Sequence, residues 1–139
     1  MPRYGPVTAA GAISIAPAWG SVVVARFMSI IDAPLELSVE EAKHLLDTRP
    51  AQTLLVDVRE PHELAICRLP FAEHIPMRQI TGQASALARD RHILVLCHHG
   101  GRSRRVTQFL RQSGLTNVSN VTGGIDAWAE RIDPTLARY

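Results

Sequence analysis

The chain has 139 residues and a mass of 15.3 kDa, the size of one domain that can bury a core without disulfides or metals. With 46% hydrophobic and 20% charged residues it has an ordinary globular make-up, which excludes a disordered, collagen-like or disulfide-rich chain. A net charge of +2 gives no reason to expect nucleic acid as a partner, and no apolar run reaches the roughly 18 residues of a membrane-spanning helix.

Two isolated cysteines, Cys67 and Cys97, make no disulfide framework and no C-x-x-C pair. They point to a reducing, cytoplasmic setting with at least one free thiol to explain. In chain order, residues 1–31 carry no acid, only Arg3 and Arg26 as charges, and several prolines and glycines. They read as a loosely held extension, residues 1–32, ahead of a folded domain at 33–135. A secretory leader is the poorer reading. Pro17 and Gly20 interrupt its apolar stretch, and Arg26 sits where a cleavage region should be neutral. Met28 is an alternative start.

Ser38-Val39-Glu40-Glu41 has the form of a capping box, with Ser38 as N-cap and Glu41 at N3. Ala42, Leu45 and Leu46 then fall on one helical face. Thr53–Asp57, His92–Leu96 and Asn117–Val121 are short apolar runs without strict alternation, the pattern of parallel strands covered on both faces. Helical stretches are expected at Met77–Arg89, Arg102–Gln112 and Ile125–Arg131, with Gly114 as the C′ residue closing the second. Alternating strands and helices over about 100 residues imply a small α/β domain: a parallel sheet flanked by helices on both faces.

The most informative segment is His92–Arg105, H-I-L-V-L-C-H-H-G-G-R-S-R-R. A buried strand ends at Cys97, and a helix is expected from Arg102 or Ser103. Between them stand His98, His99, Gly100 and Gly101. Sites in open α/β sheets form where strands end and the next helices begin. A thiol there meets the N–H groups of a tight glycine turn and the positive end of a helix dipole, both of which favour the thiolate. From Arg89 to Arg111 the chain carries six arginines and one acid, which suits an anionic substrate. Arg102 is a candidate anion-holding residue. Arg104 and Arg105 read as a solvated face, and Ser103 reads as an N-cap rather than a nucleophile. Adjacent Cys97, His98 and His99 converge poorly on a metal, so no metal site is expected.

These residues resemble the rhodanese sulfurtransferase family. The elements that carry the resemblance are Leu54-Leu55-Val56-Asp57-Val58-Arg59-Glu60 with Glu63, then Leu69-Pro70-x-Ala72-x-His74-Ile75-Pro76, the loop Cys97–Ser103, and Val121-x-Gly123-Gly124-Ile125-x-Ala127-Trp128. The resemblance implies a rhodanese-like α/β fold. It also implies a two-step reaction in which Cys97 takes a sulfane sulfur from thiosulfate or a persulfide, becomes a persulfide, and passes the sulfur to a thiophilic acceptor. His98, His99, Gly100, Gly101, Arg102 and Ser103 would cradle the donor. No cofactor or metal is implied. The partners would be a small anionic sulfur donor and a persulfide-donor or sulfur-acceptor protein, with no nucleic acid or membrane. Asp57, Arg59 and Glu63 read as a structural polar network, Trp128 as a core residue, and Gly123-Gly124 as a strand-to-helix turn.

Three positions depart from the family pattern: Cys67 and Phe71 replace frequent glycines, and Arg68 replaces a frequent histidine. Cys67 reads as a structural thiol, with a resolving role as the alternative. Two other functions compete. Cysteine phosphatases and arsenate reductases of related fold use C-x5-R, whereas Cys97 and Arg102 make C-x4-R, a tighter ring that suits one sulfur atom better than a phosphate. A non-catalytic rhodanese-like binding module usually lacks the loop cysteine, which this chain keeps.

Overall fold

A computed structural model describes residues 33–139. The readings of residues 1–32 as an extension, of a leader within them, and of Met28 as a start lie outside the described residues. Five strands form one parallel sheet: β1 (Glu36–Leu37), β2 (Thr53–Asp57), β3 (Glu73–His74), β4 (His92–Leu96) and β5 (Val118–Val121), in the order β1-β5-β4-β2-β3. The helices are α1 (Val39–Thr48), α2 (Pro61–Leu64), α3 (Ile80–Gln83), α4 (Gly101–Gln112) and α5 (Gly124–Arg131).

Strand geometry sends successive side chains to opposite faces, and both faces are apolar and covered. On one face Leu55, Leu94, Leu96 and Val121 pack with Ala42 of α1 and Trp128 of α5. On the other, Val56, Ile93, Val95 and Val118 pack with Ile80 of α3 and with Val106 and Leu110 of α4. The β2–β4 register pairs Leu55 with Leu94 and Asp57 with Leu96, so the two central strands end together. This common end is where the candidate site lies.

Local signals fix the helix ends. Ser38 and Glu41 exchange the two bonds of a capping box, Ser38 N to Glu41 Oε1 at 2.8 Å and Glu41 N to Ser38 Oγ at 3.1 Å. At the end of α4, Gly114 adopts φ +100°. Its N–H reaches Arg111 O at 3.0 Å, and Leu115 N–H reaches Leu110 O at 3.0 Å. Those two bonds form a Schellman motif with Gly114 at C′.

Two expectations change. The single helix at Met77–Arg89 is instead a 3-10 turn at Met77–Gln79, the short α3, and a second 3-10 turn at Ala84–Ala86. Gly82 weakens the helix there, and Ile80 and Leu87 are the only residues of the stretch buried in the core. The last strand begins at Val118 rather than Asn117. The Asn117 side chain turns away to donate to the carbonyls of Ala88 and Arg91. Strands β1 and β3 have two residues each, too short for periodicity to reveal.

Candidate active site

Residue parity along β4 places Cys97 on the same face as Ile93 and Val95, under α4. Cys97 is 1% exposed. Its sulfur is nonetheless not in purely apolar surroundings, because Gly100 N–H donates to Sγ at 3.1 Å and the Ser103 hydroxyl donates at 3.2 Å. Gly100 makes this turn with φ +105°, a conformation that costs a side-chain-bearing residue strain. It also acts as N-cap of α4. The helix therefore starts at Gly101, ahead of the expected position, and Ser103 is not the N-cap. Ser103 lies in the first turn, fully buried, where its hydroxyl is free to face the sulfur.

The Cys97 loop is held from outside by the start of α5. Ile125 N–H donates to Cys97 O at 2.8 Å and Asp126 N–H to His98 O at 3.1 Å. Gly124, at φ +64°, permits that approach, since a Cβ there would sit 2.4 Å from both the Cys97 and His98 carbonyl oxygens.

Arg102 does not stand free for an anion. Its Nη1 and Nη2 donate to Glu63 Oε2 and Oε1, both at 2.8 Å, in a bidentate pair. The Arg102 guanidinium holds the Glu63 carboxyl down at about 2, outweighing the burial that opposes it. Glu63 also accepts from Glu60 N–H at 2.9 Å and from the Tyr139 hydroxyl at 2.9 Å. Tyr139 in turn accepts from Arg59 Nη1 at 3.0 Å. Arg59 is fully buried and grips Asp57, with Nη2 to Oδ2 at 2.7 Å. Burial opposes the charge on Arg59, but its bonds to Asp57 and Tyr139 outweigh that and push its pKa up. The polar network read from sequence as Asp57, Arg59 and Glu63 thus continues through Tyr139 and Arg102 to the edge of the cysteine loop.

His98 is partly buried. Its ring stacks on that of Tyr139 and meets that of His99 at a 33° tilt, with both centroids 3.8 Å away. Burial, reinforced by His99, pulls its pKa below the usual histidine range, and its Nε2 is buried without a partner. His99 is exposed, with Nδ1 3.8 Å from Asp126. Cys67 packs in the other apolar cluster, with Leu69 and Trp128, across the sheet from Cys97. A groove of about 640 Å³, lined by Leu55, Phe71, Arg91 and Trp128 among others, includes no residue of the 97–103 loop.

The arginine-rich stretch is a run in sequence and not a patch in space. Arg91 precedes β4 at the opposite end of the strand from Cys97, roughly 20 Å away at strand rise. Arg111 lies at the far end of α4, where its Nε donates to Val118 O at 3.0 Å. Arg104 pairs with Glu36 at 3.4 Å. Among the described residues, no cluster of three or more His, Cys, Asp or Glu could hold a metal ion, and no helix is long and apolar enough to cross a membrane.

A five-stranded parallel sheet whose central strand ends in a cysteine, turned by Gly100 into a helix bearing Arg102 and Ser103, defines a rhodanese-like domain. Residues 38–131 match the family model described as Rhodanese-like domain, and the chain belongs to that family. It is 38% identical over 96 residues to a sulfurtransferase of Allochromatium vinosum, covering 69% of this chain and 88% of that protein. It is 40% identical over 89 residues to the chloroplastic rhodanese-like/PpiC domain-containing protein 12 of Arabidopsis thaliana, covering 61% of this chain. The chain spans only 25% to 30% of the length of that protein and of other curated relatives. A solved structure of the human single-domain sulfurtransferase TSTD1 superposes with a TM-score of 0.62 at 26% identity, covering 71% of this chain and 98% of that one.

Sequence reasoning missed Tyr139. A lone tyrosine 76 residues from Glu63 carries no periodic or motif signal. It also placed Glu63 in the buried network without seeing that Glu63 holds Arg102.

Proposed function

We propose that the protein is a sulfurtransferase in which Cys97 carries the sulfur as a persulfide. The observation that carries this reading is the pair of donors on one buried sulfur, Gly100 N–H at 3.1 Å and the Ser103 hydroxyl at 3.2 Å. Hydrogen bonds to a charged acceptor are stronger than those to a neutral one, so this pair stabilises the negative charge that returns to Cys97 Sγ as sulfur leaves it.

In the first half-reaction the Cys97 thiolate attacks the terminal sulfane sulfur of a donor. The new S–S bond forms as the donor's S–S bond breaks, and the leaving group departs with the electron pair, as sulfite from thiosulfate or a thiolate from a persulfide. In the second, a thiophilic acceptor attacks the outer sulfur of the Cys97 persulfide and the thiolate is restored. The relatives named sulfurtransferase support the same chemistry. Cys97 is 1% exposed, so the reacting atom that reaches it must be small. That supports sulfur over a tetrahedral phosphate and ranks the phosphatase reading below. His98, His99, Gly100 and Gly101 form the wall of the loop, and Arg102 anchors it to Glu63. The setting is the cytoplasm, the donor a small sulfur compound or a persulfide-bearing protein, and the acceptor a thiol or other thiophile.

Intact-mass measurement tests the reading. After incubation with thiosulfate, and separately with glutathione persulfide, wild type should gain one sulfur atom from at least one donor and lose it to cyanide. The Cys97→Ala variant should gain none. Wild type that never gains sulfur, or a Cys97→Ala variant that gains as much, would overturn the proposal.

A further inference from the structure

Four arginines seated near the cysteine loop are each matched by a carboxylate, while Arg105, further along α4, is exposed. Arg102 is paired with Glu63, Arg104 with Glu36, Arg138 with Asp126 and Arg59 with Asp57. His98 adds no charge at neutral pH, because burial keeps its ring in the neutral form. The Arg102 fork, the one cationic group in the C-x4-R ring, is fully engaged in two 2.8 Å bonds to a carboxylate that is itself only 7% exposed. Glu63 is fixed in that position from two further sides, by Glu60 N–H and by the Tyr139 hydroxyl. Retargeting Arg102 to a substrate would strand a buried carboxylate.

We infer that the Glu63–Arg102 pair, steadied by Tyr139, makes this site selective for persulfide donors, R–S–SH, over thiosulfate. The inference rests on the sulfurtransferase reading and narrows its donor. Thiosulfate brings two negative charges and leaves as a sulfite that needs an unengaged cation beside it. The persulfide group itself brings at most one charge into the loop, and its leaving group is a thiolate whose organic part, with the charges it carries, stays outside. The balance is the same for both donors: Cys97 Sγ forms a bond to the terminal sulfur, the donor S–S bond breaks, the leaving sulfur takes the electron pair, and nothing external is oxidised or reduced. Glu63 is a specificity-determining residue that acts through Arg102.

The test is the rate at which Cys97 gains one sulfur atom, read by rapid quench and intact mass, with thiosulfate and with glutathione persulfide as donors. Wild type should load faster from the persulfide. Glu63→Gln keeps the size of the side chain and an oxygen acceptor for Arg102 but removes the opposing charge. It should raise the thiosulfate-to-persulfide rate ratio by about tenfold or more. Because both rates come from the same protein, a general structural defect lowers both and leaves the ratio unmoved.

Salt dependence gives a second reading that needs no variant. Thiosulfate loading of wild type should change less than about twofold between low and high ionic strength, because the cation of the ring, Arg102, is already neutralised by Glu63. Faster wild-type loading from thiosulfate, a ratio unmoved in folded Glu63→Gln, or steep loss of wild-type thiosulfate loading with salt would each overturn the inference while leaving the sulfurtransferase reading intact. Loading from neither donor would overturn both.

Discussion

The Tyr139 ring lies flat on that of His98, with centroids 3.8 Å apart and planes 7° from parallel. Its hydroxyl meanwhile bridges Arg59 and Glu63 at 3.0 and 2.9 Å. One side chain therefore ties the residue after Cys97 to Arg59, just past β2, and to Glu63 on α2, which holds Arg102 of the loop. Burial, with the Glu63 carboxylate reinforcing it, pushes the Tyr139 phenol up to about 12, so across the working range it stays protonated and donates to Glu63.

Replacing Tyr139 by Phe keeps the stack and removes the bridge. Glu63 loses one donor and Arg59 one acceptor, which should cost about 1–2 kcal/mol. Tyr139→Ala also loses the ring contact and should cost more. Urea unfolding midpoints should fall in the order wild type, Phe, Ala. A Phe variant as stable as wild type would mean the hydroxyl bridge contributes nothing.

Arg59 is the largest fully buried side chain, and its guanidinium reaches Asp57, Tyr139 and the carbonyls of Glu63 and Cys67. Asp57 is itself 1% exposed. Arg59→Met leaves that carboxylate buried and uncompensated and should cost about 3–5 kcal/mol. Removing the second charge as well, in Asp57→Asn/Arg59→Met, should recover part of the loss. Equilibrium unfolding of wild type and the two variants checks both statements, and a double variant less stable than Arg59→Met would refute the charge argument.

Acid should weaken the domain through Glu63. Its carboxyl lies near 4.5 in the unfolded chain and is held at about 2 in the fold, chiefly by Arg102. A depressed carboxyl contributes stability that is fully present above about pH 4.5 and is lost as pH falls toward 2, because the unfolded chain binds the proton first. His98, neutral in the fold for reasons of burial, works in the same sense at higher pH: its contribution is present above the ordinary histidine range and declines below it. Unfolding midpoints measured from pH 5 to pH 2 should fall more steeply for wild type than for Glu63→Gln, which has no proton to gain there. Equal slopes would place the acid sensitivity elsewhere.

The central strands and the cysteine turn were legible in sequence because each is specified locally. Thr53–Asp57 and His92–Leu96 are apolar on both faces, and Gly100 follows the strand at the point where φ must turn positive. What escaped was set by contacts distant in sequence. The side chains of Glu63 and Arg102, 39 residues apart, meet only once β2 and β4 are aligned. Their pairing turned an expected anion-holding arginine into an engaged one. Ser103 read as a cap because it opens an apparent helix, yet Gly100 takes the cap and leaves the hydroxyl for Cys97. The basic run from Arg89 to Arg111 is divided between the two ends of β4 and α4, which a linear charge count cannot resolve.

The tightest steric demand at the site falls on Gly124, and it yields the sharpest stability prediction. At φ +64° a residue with a Cβ is strained, and here the Cβ would meet the Cys97 and His98 carbonyl oxygens at 2.4 Å and the His98 carbonyl carbon at 2.6 Å. Backbone atoms cannot swing aside as a side chain can. These same carbonyls accept the N–H groups of Ile125 and Asp126, so relief of the clash must break the bonds that seat the cysteine loop on α5. Gly124→Ala should therefore cost about 3 kcal/mol or more, strain and overpacking together. Gly101→Ala is the control from the same loop, where a Cβ meets nothing within 4 Å and no positive φ is required. It should change stability by less than about 1 kcal/mol. Thermal and urea unfolding of the pair, with sulfur loading of Cys97 measured on the folded fraction, separates the two effects. Gly124→Ala should lose loading along with stability, and Gly101→Ala should keep its stability. A Gly124→Ala protein as stable as wild type would show that the loop and the start of α5 do not interlock as described.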